Sequence, residues 1–559
     1  MRILIVGGYG IFGGRLVELL EDDGRFTLLV AGRSLSRANE YCARRSRSSA
    51  KLIPTLFDRS SDDVQQLKLL NPTVVVDASG PFQAYGSHAY RLIEHCIECG
   101  IHYLDLADGS DFVAGVAKFD AAARSASVYV LSGVSSFPVL TAAVVRRLST
   151  GISRIQSIRG GIAPSPYAGV GLNVIRAIGS YAGQRISLKQ QGEVTTGYPF
   201  TQFSQFVIAV PGRVPLERRR FSLVEVPDLR TLAEMWPHAT DVWMGAAPVP
   251  SPLHWALTVF AWLVRCRILP SLSWMARVMH FVTNHVRWGE HRGGMFVEVR
   301  GEDPDGAPVL REWHLLAEGD DGPLIPCMAV EAILRKALTG DMPPAGARTA
   351  ISDVDLSAYE ALFSQQTIYT GIRERFPVPD VPLYQRVLGS SWDQLAPEIR
   401  QLHAVTSVSH FSGRCTVERG RNSLAWLIAT LVGFPKPGAD QSITVKLSVD
   451  GDGERWVRNC SGRTFSSVQR RGRGRSEWLL NERFGPVFVD MALVVEGENL
   501  RYIVRRWGVF GISLPLLLGP RATAVESVQD EKFKFDVALS HPLTGLIVRY
   551  RGVLAQTFA

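Results

Sequence analysis

The chain has 559 residues, 46% hydrophobic and 20% charged, the balance of an ordinary globular protein long enough for more than one domain. A formal net charge of +8 is modest for this size: it permits loose attraction to phosphates or anionic lipid but does not indicate a nucleic-acid partner. Seven scattered cysteines, odd in number, make no disulfide framework, and no charged leader with an apolar core and cleavage site precedes the first strand, so a cytoplasmic protein is expected.

That first strand belongs to "MRILIVGGYGIFGGRLVELL", a short apolar run, a glycine turn and an amphipathic helix. Gly8, Gly10 and Gly13 fit GxGxxG in the strand-to-helix context that gives the pattern weight, with Ile11 and Phe12 between the last two. In such a turn the glycines permit a tight reversal, close approach of the backbone to a pyrophosphate, and close packing of helix on strand. The helix N-terminus beyond it is an anion site.

About twenty residues on, "LLVAGRSLSRA" ends a second apolar run on a cation. An acid there would bind the ribose 2′-hydroxyl of NAD and repel a 2′-phosphate, whereas Arg33 can pair with that phosphate in a bidentate fork. Ser34 adds a hydroxyl, and Arg37 lies one helical turn further on. NADP is therefore the expected cofactor, the bland alternative being a solvated arginine on a loop.

Further strands are expected at 51–58, 73–80, 101–108 and 127–133, each followed by a helical or polar segment. Continuous apolar strands between helices imply a parallel sheet covered on both faces, an α/β Rossmann-type doubly wound fold. Ligands bind beyond the carboxyl ends of such strands, which selects Asp58, Ser79, Gly80, Pro81 and Phe82, Asp105 with Asp108, and Ser132 with Gly133. Cys96 and Cys99 form a CxxC, but on a helical pattern closed by Gly100 and with no second CxxC, so they read as packing residues and no metal is expected.

The glycine turn, the basic end of the second strand, "VVVDASGPFQAYG", "GIHYLDLAD" and "SGVSSFP" together resemble the saccharopine dehydrogenase-like family over roughly residues 1 to 355. The resemblance implies a Rossmann domain with an inserted mixed sheet that covers the nicotinamide and carries the substrate pocket. It places Gly8, Gly10 and Gly13 on the pyrophosphate, Arg33 and Ser34 on the 2′-phosphate, Asp58 near the adenine, and Ser79 to Phe82 beside the nicotinamide. The rival short-chain dehydrogenases need a tyrosine followed four residues later by lysine, and none of the fourteen tyrosines has one.

The expected domains are 1–150 (Rossmann), 151–357 (inserted, mixed α+β, with the return to the Rossmann unit), a linker at 358–382 and a mainly antiparallel β domain at 383–559. Within the second, "GGMFVEVRGEDPDGAPVLREWHLLAEG" reads as two strands about an Asp-Gly turn, and a helix follows Pro326. The most apolar stretch, residues 253–286, is too short and too broken by Arg265 and Pro270 for a membrane span. It reads as a peripheral lipid contact, the mouth of a pocket for a greasy substrate, or a helix pair buried in a homodimer or against the C-terminal domain.

Prolines in "RERFPVPDVPLYQRVLG" favour the extended linker. Beyond it, short alternating strands imply a curved antiparallel sheet or partial barrel, interrupted by the helix "SLAWLIATLVG". This part looks like an uncharacterised bacterial domain that often follows a saccharopine dehydrogenase-like module, through "LYQRVLG", "GRCTVERG", "ERWVRNCSGRTF" and "LIVRYRGVL". Glu454, Trp456 and Arg458 alternate onto one face that Arg463 and Glu482 could join, either as a ligand pocket or as a surface ladder. The apolar loop "WGVFGISLPLLLGP" is expected to pack on the sheet or meet a hydrophobic partner, and "QRRGRGRSEW" to be a solvated hairpin tip.

The expected function is an NADP-dependent oxidoreductase moving hydride to or from a C=O, C=N or C=C carbon of a small molecule, hydrophobic (a polyketide or fatty-acid derivative) by the character of 253–286 and of the C-terminal domain. Asp105, Asp108 and Tyr85 are the candidates for the proton step, each with a structural alternative: a loop anchor, a helix cap and a packing ring. The competing readings are a lipid-binding protein that senses NADPH without turnover, and an amino-acid imine reductase marked by arginines beside Ser79 to Phe82.

Overall fold

The first apolar runs form β1 (Arg2–Val6), β2 (Thr27–Gly32), β3 (Lys51–Leu56), β4 (Val74–Asp77), β5 (His102–Asp105) and β6 (Tyr129–Ser132) in a computed structural model that describes residues 1–60, 64–248, 250–374, 381–431 and 433–557. With Gly346–Thr349 they make a seven-stranded parallel sheet in the order Gly346–Thr349, β6, β5, β4, β1, β2, β3. Ile3, Leu4 and Ile5 are wholly buried, as are Leu28 to Val30 and Val74 to Val76, which is why these strands are apolar throughout rather than alternating. The chain builds the sheet outward from β1 through β3, then returns and builds the other way from β4. A crevice therefore opens at the carboxyl ends of β1 and β4, the position where such sheets bind dinucleotides.

The segment after residue 150 adds a second, mixed sheet of seven strands. Arg154–Ala163 and Asp241–Ala246 pair parallel, and Arg154–Ala163 is also antiparallel to Gly293–Glu302. The hairpin about the Asp-Gly turn sets Glu302 opposite Pro308 and Gly293 opposite Ala317. The chain then returns through helix Ile325–Leu338, which packs on α1 (Ile11–Leu20), with Arg335 bonding Asp22 at 2.9 Å and the Cys327 thiol bonding the Phe12 carbonyl. Of residues 358–382, most of helix Leu356–Phe363 and strand Ile368–Glu374 are regular structure, Pro382 caps helix Leu383–Leu388, and 375–380 lie outside the described residues.

The chain divides into two units, Met1–Phe206 with Arg219–Tyr369, and Val207–Arg218 with Thr370–Ala559. In the second, an eleven-stranded sheet closes on itself because Val487–Glu496 pairs both with Leu480–Phe484 and with Asn499–Val509. Closure removes the open edges that would recruit another strand. Residues 207–218 contribute to this unit: Val207 and Ala209 pack on Trp478, and Val214 on Leu479. Glu454, Trp456 and Arg458 share a face with the buried Val445 and Leu447, so the alternation read from sequence points into the barrel. No helix among the described residues is long and apolar enough to cross a membrane.

Candidate active site

Gly7 follows β1 with a φ of 79°, a conformation that favours glycine. A Cβ there would stand 3.0 Å from Ser79 Cα, so the glycine turn and the residues after β4 meet backbone to backbone at the crevice. Gly10 N–H donates to the Gly7 carbonyl at 2.8 Å and fixes the turn. A Cβ at Gly13 would lie 2.2 Å from that same carbonyl and 2.8 Å from Gly8 Cα. α1 starts at Ile11 with Gly10 as its cap and no side chain covering its first N–H groups. A cradle that side chains would fill, under an uncapped helix N-terminus, fits a pyrophosphate.

At the end of β2, Arg33 is exposed and makes no hydrogen bond or ion pair among the described residues. Ser34 caps helix Leu35–Ala43, its hydroxyl accepting from the Arg37 N–H at 3.4 Å. Its own N–H donates to the Tyr9 hydroxyl at 3.0 Å, and the Arg37 guanidinium lies 5.1 Å from the Tyr9 ring. Asp58 accepts from the Ser60 hydroxyl (2.7 Å) and N–H (3.0 Å), which hold its carboxyl below the ordinary range with Arg33 adding to the effect. Ser34 and Arg37 therefore cluster around Tyr9, with the exposed Arg33 beside them at the end of β2.

Beyond β4 the residues from Ser79 to Phe82 are organised by Asp77, which is fully buried. Asp77 accepts from the Ser79 N–H at 3.0 Å and from its hydroxyl at 2.6 Å. The Tyr85 hydroxyl sits 2.8 Å from Ser79 Oγ and 3.3 Å from Asp77 Oδ2, while Arg59 stacks 3.2 Å from the Tyr85 ring centroid and pairs with Asp77 at 3.4 Å. Burial, and then Asp77, push the Tyr85 phenol far above its ordinary pKa. Tyr85 thus holds the turn, and its phenol is a poor source of protons. From the inserted domain, Asn173 on helix Leu172–Tyr181 donates to the carbonyls of Ser79 (3.1 Å) and Gly80 (2.9 Å), closing the crevice from the other side.

The two acids at and beyond the end of β5 behave differently. One oxygen of Asp105 accepts from the Ala107 N–H (3.0 Å), the Ser132 hydroxyl (3.0 Å) and the Gly133 N–H (2.8 Å), tying β5 to β6, while the other is buried without a partner. Burial pushes its carboxyl up to about 7. Asp108 accepts from the Gln83 side chain at 3.1 Å, one residue beyond Phe82, and is also shifted up by burial. Glu225, from the inserted domain, joins it: burial pushes its carboxyl up to about 7, with the charge of Asp108 adding to the shift and Ser110 as its hydrogen-bonding neighbour. Burial thus raises both carboxyls, and the charge of Asp108 adds to the rise at Glu225.

Residues 3–131 match the family model described as saccharopine dehydrogenase NADP binding domain. The chain carries that domain. Residues 395–554 match a domain of unknown function, DUF4166, so the NADP-binding module is fused to an uncharacterised domain, the arrangement the sequence resemblance implies. The fold is that of an NAD(P)-dependent oxidoreductase. Apo saccharopine dehydrogenase (L-Glu forming) from Saccharomyces cerevisiae is similar at 13% identity, covering 67% of this chain and 100% of that one, TM-score 0.48. The WlbA dehydrogenase of Thermus thermophilus, in complex with NAD and alpha-ketoglutarate, is similar at 13% identity over 62% of this chain and 90% of its own, TM-score 0.28. A meso-dapdh mutant from Clostridium tetani is similar at 14% identity over 64% and 95%, TM-score 0.31. No curated protein matches the chain.

The residues that sequence reasoning passed over around this NADP-binding domain are Gly7, Tyr9, Arg59, Asp77, Asn173 and Glu225. Asp77 was legible as the last residue of an apolar strand. Asn173 and Glu225 carried no signal, since no spacing rule joins them to residues about a hundred positions away.

Proposed function

We propose that the chain is an NADP(H)-dependent reductase or dehydrogenase acting on a C=O, C=N or C=C bond of an apolar or amphiphilic small molecule. The observation that carries this reading is the crevice itself: the glycine cradle and Ser79 to Phe82 meet there, and Arg33 stands uncommitted at the end of β2. When bound, the dinucleotide supplies or accepts hydride at C4 of its nicotinamide. The chain's residues do the rest: the cradle takes the pyrophosphate, Arg33 the 2′-phosphate, and Asp77, Ser79 and Asn173 keep the ring-binding turn rigid. Asp108 and Glu225 hold the proton that goes to the substrate heteroatom on reduction and receive it on oxidation.

The apolar substrate class is supported by helices Ser251–Arg265 and Ala276–His285. The second of these, with the turn before it, packs beside the helix that carries Asn173: Leu272 N–H donates to the Gly179 carbonyl (3.0 Å), and Asn284 donates to the Val170 carbonyl (3.0 Å). The test is incubation with NADPH deuterated at C4 and a panel of long-chain ketones, enones and imines, followed by mass spectrometry. Deuterium in a product whose formation requires the chain is the expected result. NADPH binding without transfer to any apolar acceptor would instead favour a lipid-binding protein that senses the nucleotide.

A further inference from the structure

Helix Ser251–Arg265 turns its polar and small residues inward: His254 bonds Ser222 at 2.7 Å, the Thr258 hydroxyl accepts from Arg220 at 2.8 Å, and Ala261 is fully buried. Three of its large apolar residues face out. Trp255 is 57% exposed, Val259 57% and Trp262 43%, spaced four and three residues apart on one face. Helix Ala276–His285 and the turn before it repeat the arrangement with Trp274 (68%), Val278 (59%) and Phe281 (60%). Two outward rows of large side chains exceed the scattered exposure normal for a protein surface.

The charge around these rows has one sign. From Ser251 to Trp288 the sequence has four arginines, Arg265, Arg267, Arg277 and Arg287, and no aspartate or glutamate. None of the four forms an ion pair among the described residues, and Arg265 lies 4.4 Å from the Trp262 ring. Tryptophan and arginine together suit the boundary between hydrocarbon and anionic headgroups, where the ring is half immersed and the guanidinium meets phosphate. A protein partner of matching apolar character would not require four uncompensated cations.

We propose that this face docks on the surface of an anionic bilayer, lying in the headgroup region without crossing it. The inference stands whether or not the nucleotide reading holds, because no residue of the dinucleotide crevice lies on either row.

The test uses the full chain and vesicles of phosphatidylcholine with and without phosphatidylglycerol, read by co-sedimentation. Cys266, at the end of the first helix, is the exposed one among the seven cysteines and accepts an environment-sensitive fluorophore next to the face. Binding should favour the anionic vesicles by at least about tenfold and weaken with salt, with a blue-shifted label. Trp255→Glu with Trp274→Glu should abolish it, and Arg267→Gln with Arg277→Gln should weaken it by about 30-fold; unchanged thermal unfolding establishes that both variants fold. Equal sedimentation with and without anionic lipid would overturn the proposal. So would failure of both vesicle types to bind while the double glutamate variant converts a dimer to a monomer, which would make the face an interface between two copies.

Discussion

Gly13→Ala should abolish NADPH binding at concentrations that saturate the wild-type chain, a loss of at least about 100-fold in affinity. The added methyl would stand 2.2 Å from the Gly7 carbonyl and 2.8 Å from Gly8 Cα, both backbone atoms, so no side-chain rotation relieves the clash. Relief comes from opening the turn, and the turn is held by the 2.8 Å bond from Gly10 to that same carbonyl. Once it opens, the first N–H groups of α1 no longer converge on one anion. Gly24→Ala is the matched control, since its Cβ would meet nothing closer than the Ser49 carbonyl at 3.4 Å, and it should bind as the wild type does. Fluorescence titration of bound NADPH reads both variants. Wild-type affinity in Gly13→Ala would mean that the pyrophosphate lies elsewhere.

The second large effect is expected at Glu225→Gln. Burial keeps a proton on this carboxyl up to about pH 7, against an ordinary value of 4.5, so the group can donate below neutrality and loses that capacity above it. Reductive turnover by the wild type should therefore fall about tenfold per pH unit above pH 7. Glutamine has no proton to give: turnover should drop by about 100-fold or more and lose the break at neutrality, with the KM for NADPH unchanged. Stability follows the same carboxyl. Its folded form binds a proton more tightly than its unfolded form, so the fold weakens as pH climbs from about 4.5 to about 7, and the glutamine variant loses that slope. Asp108→Asn should move the Glu225 break to lower pH, because a neighbouring negative charge disappears. Wild-type turnover and an unmoved break in Glu225→Gln would assign the proton to another group, with Asp105, pushed up to about 7, next in line.

What the sequence revealed and what it hid follow from how local each feature is. Strands such as "RILIV" and "TVVVD" are apolar without alternation because helices cover both sheet faces, so a parallel sheet could be read from them directly. The glycine cradle is local as well, although Gly7, with its positive φ and its contact to Ser79, was masked by the match of Gly8, Gly10 and Gly13 to the spacing rule. Arg33 was legible as the cation ending an apolar run.

The two carboxyls at the crevice were only half legible. Asp108 sits at a strand end where the rule says to look, but Glu225 comes from the domain inserted about a hundred residues later, and only tertiary structure brings it close enough to feel the charge of Asp108. Tyr85 lies beside the turn, and nothing local in the sequence shows that burial and Asp77 raise its phenol. Residues 207–218 join the barrel unit without any shift in composition to announce it. The loop at 510–518, expected to pack or find a partner, keeps Phe510 82% and Leu517 83% exposed, although the Trp507 indole bonds the Pro515 carbonyl and pins its far end.

NADP(H) is expected to bind in the crevice through the cation at the end of β2. The most direct measurement is a titration of the full chain with NADPH and with NADH, repeated on Arg33→Ala. A bidentate, charge-assisted pair predicts tighter binding of NADPH by about 10- to 100-fold, shrinking to within about threefold in the variant through loss of NADPH affinity alone. Equal binding of the two nucleotides by the wild type, or binding of neither, would mean that Arg33 does not read a 2′-phosphate.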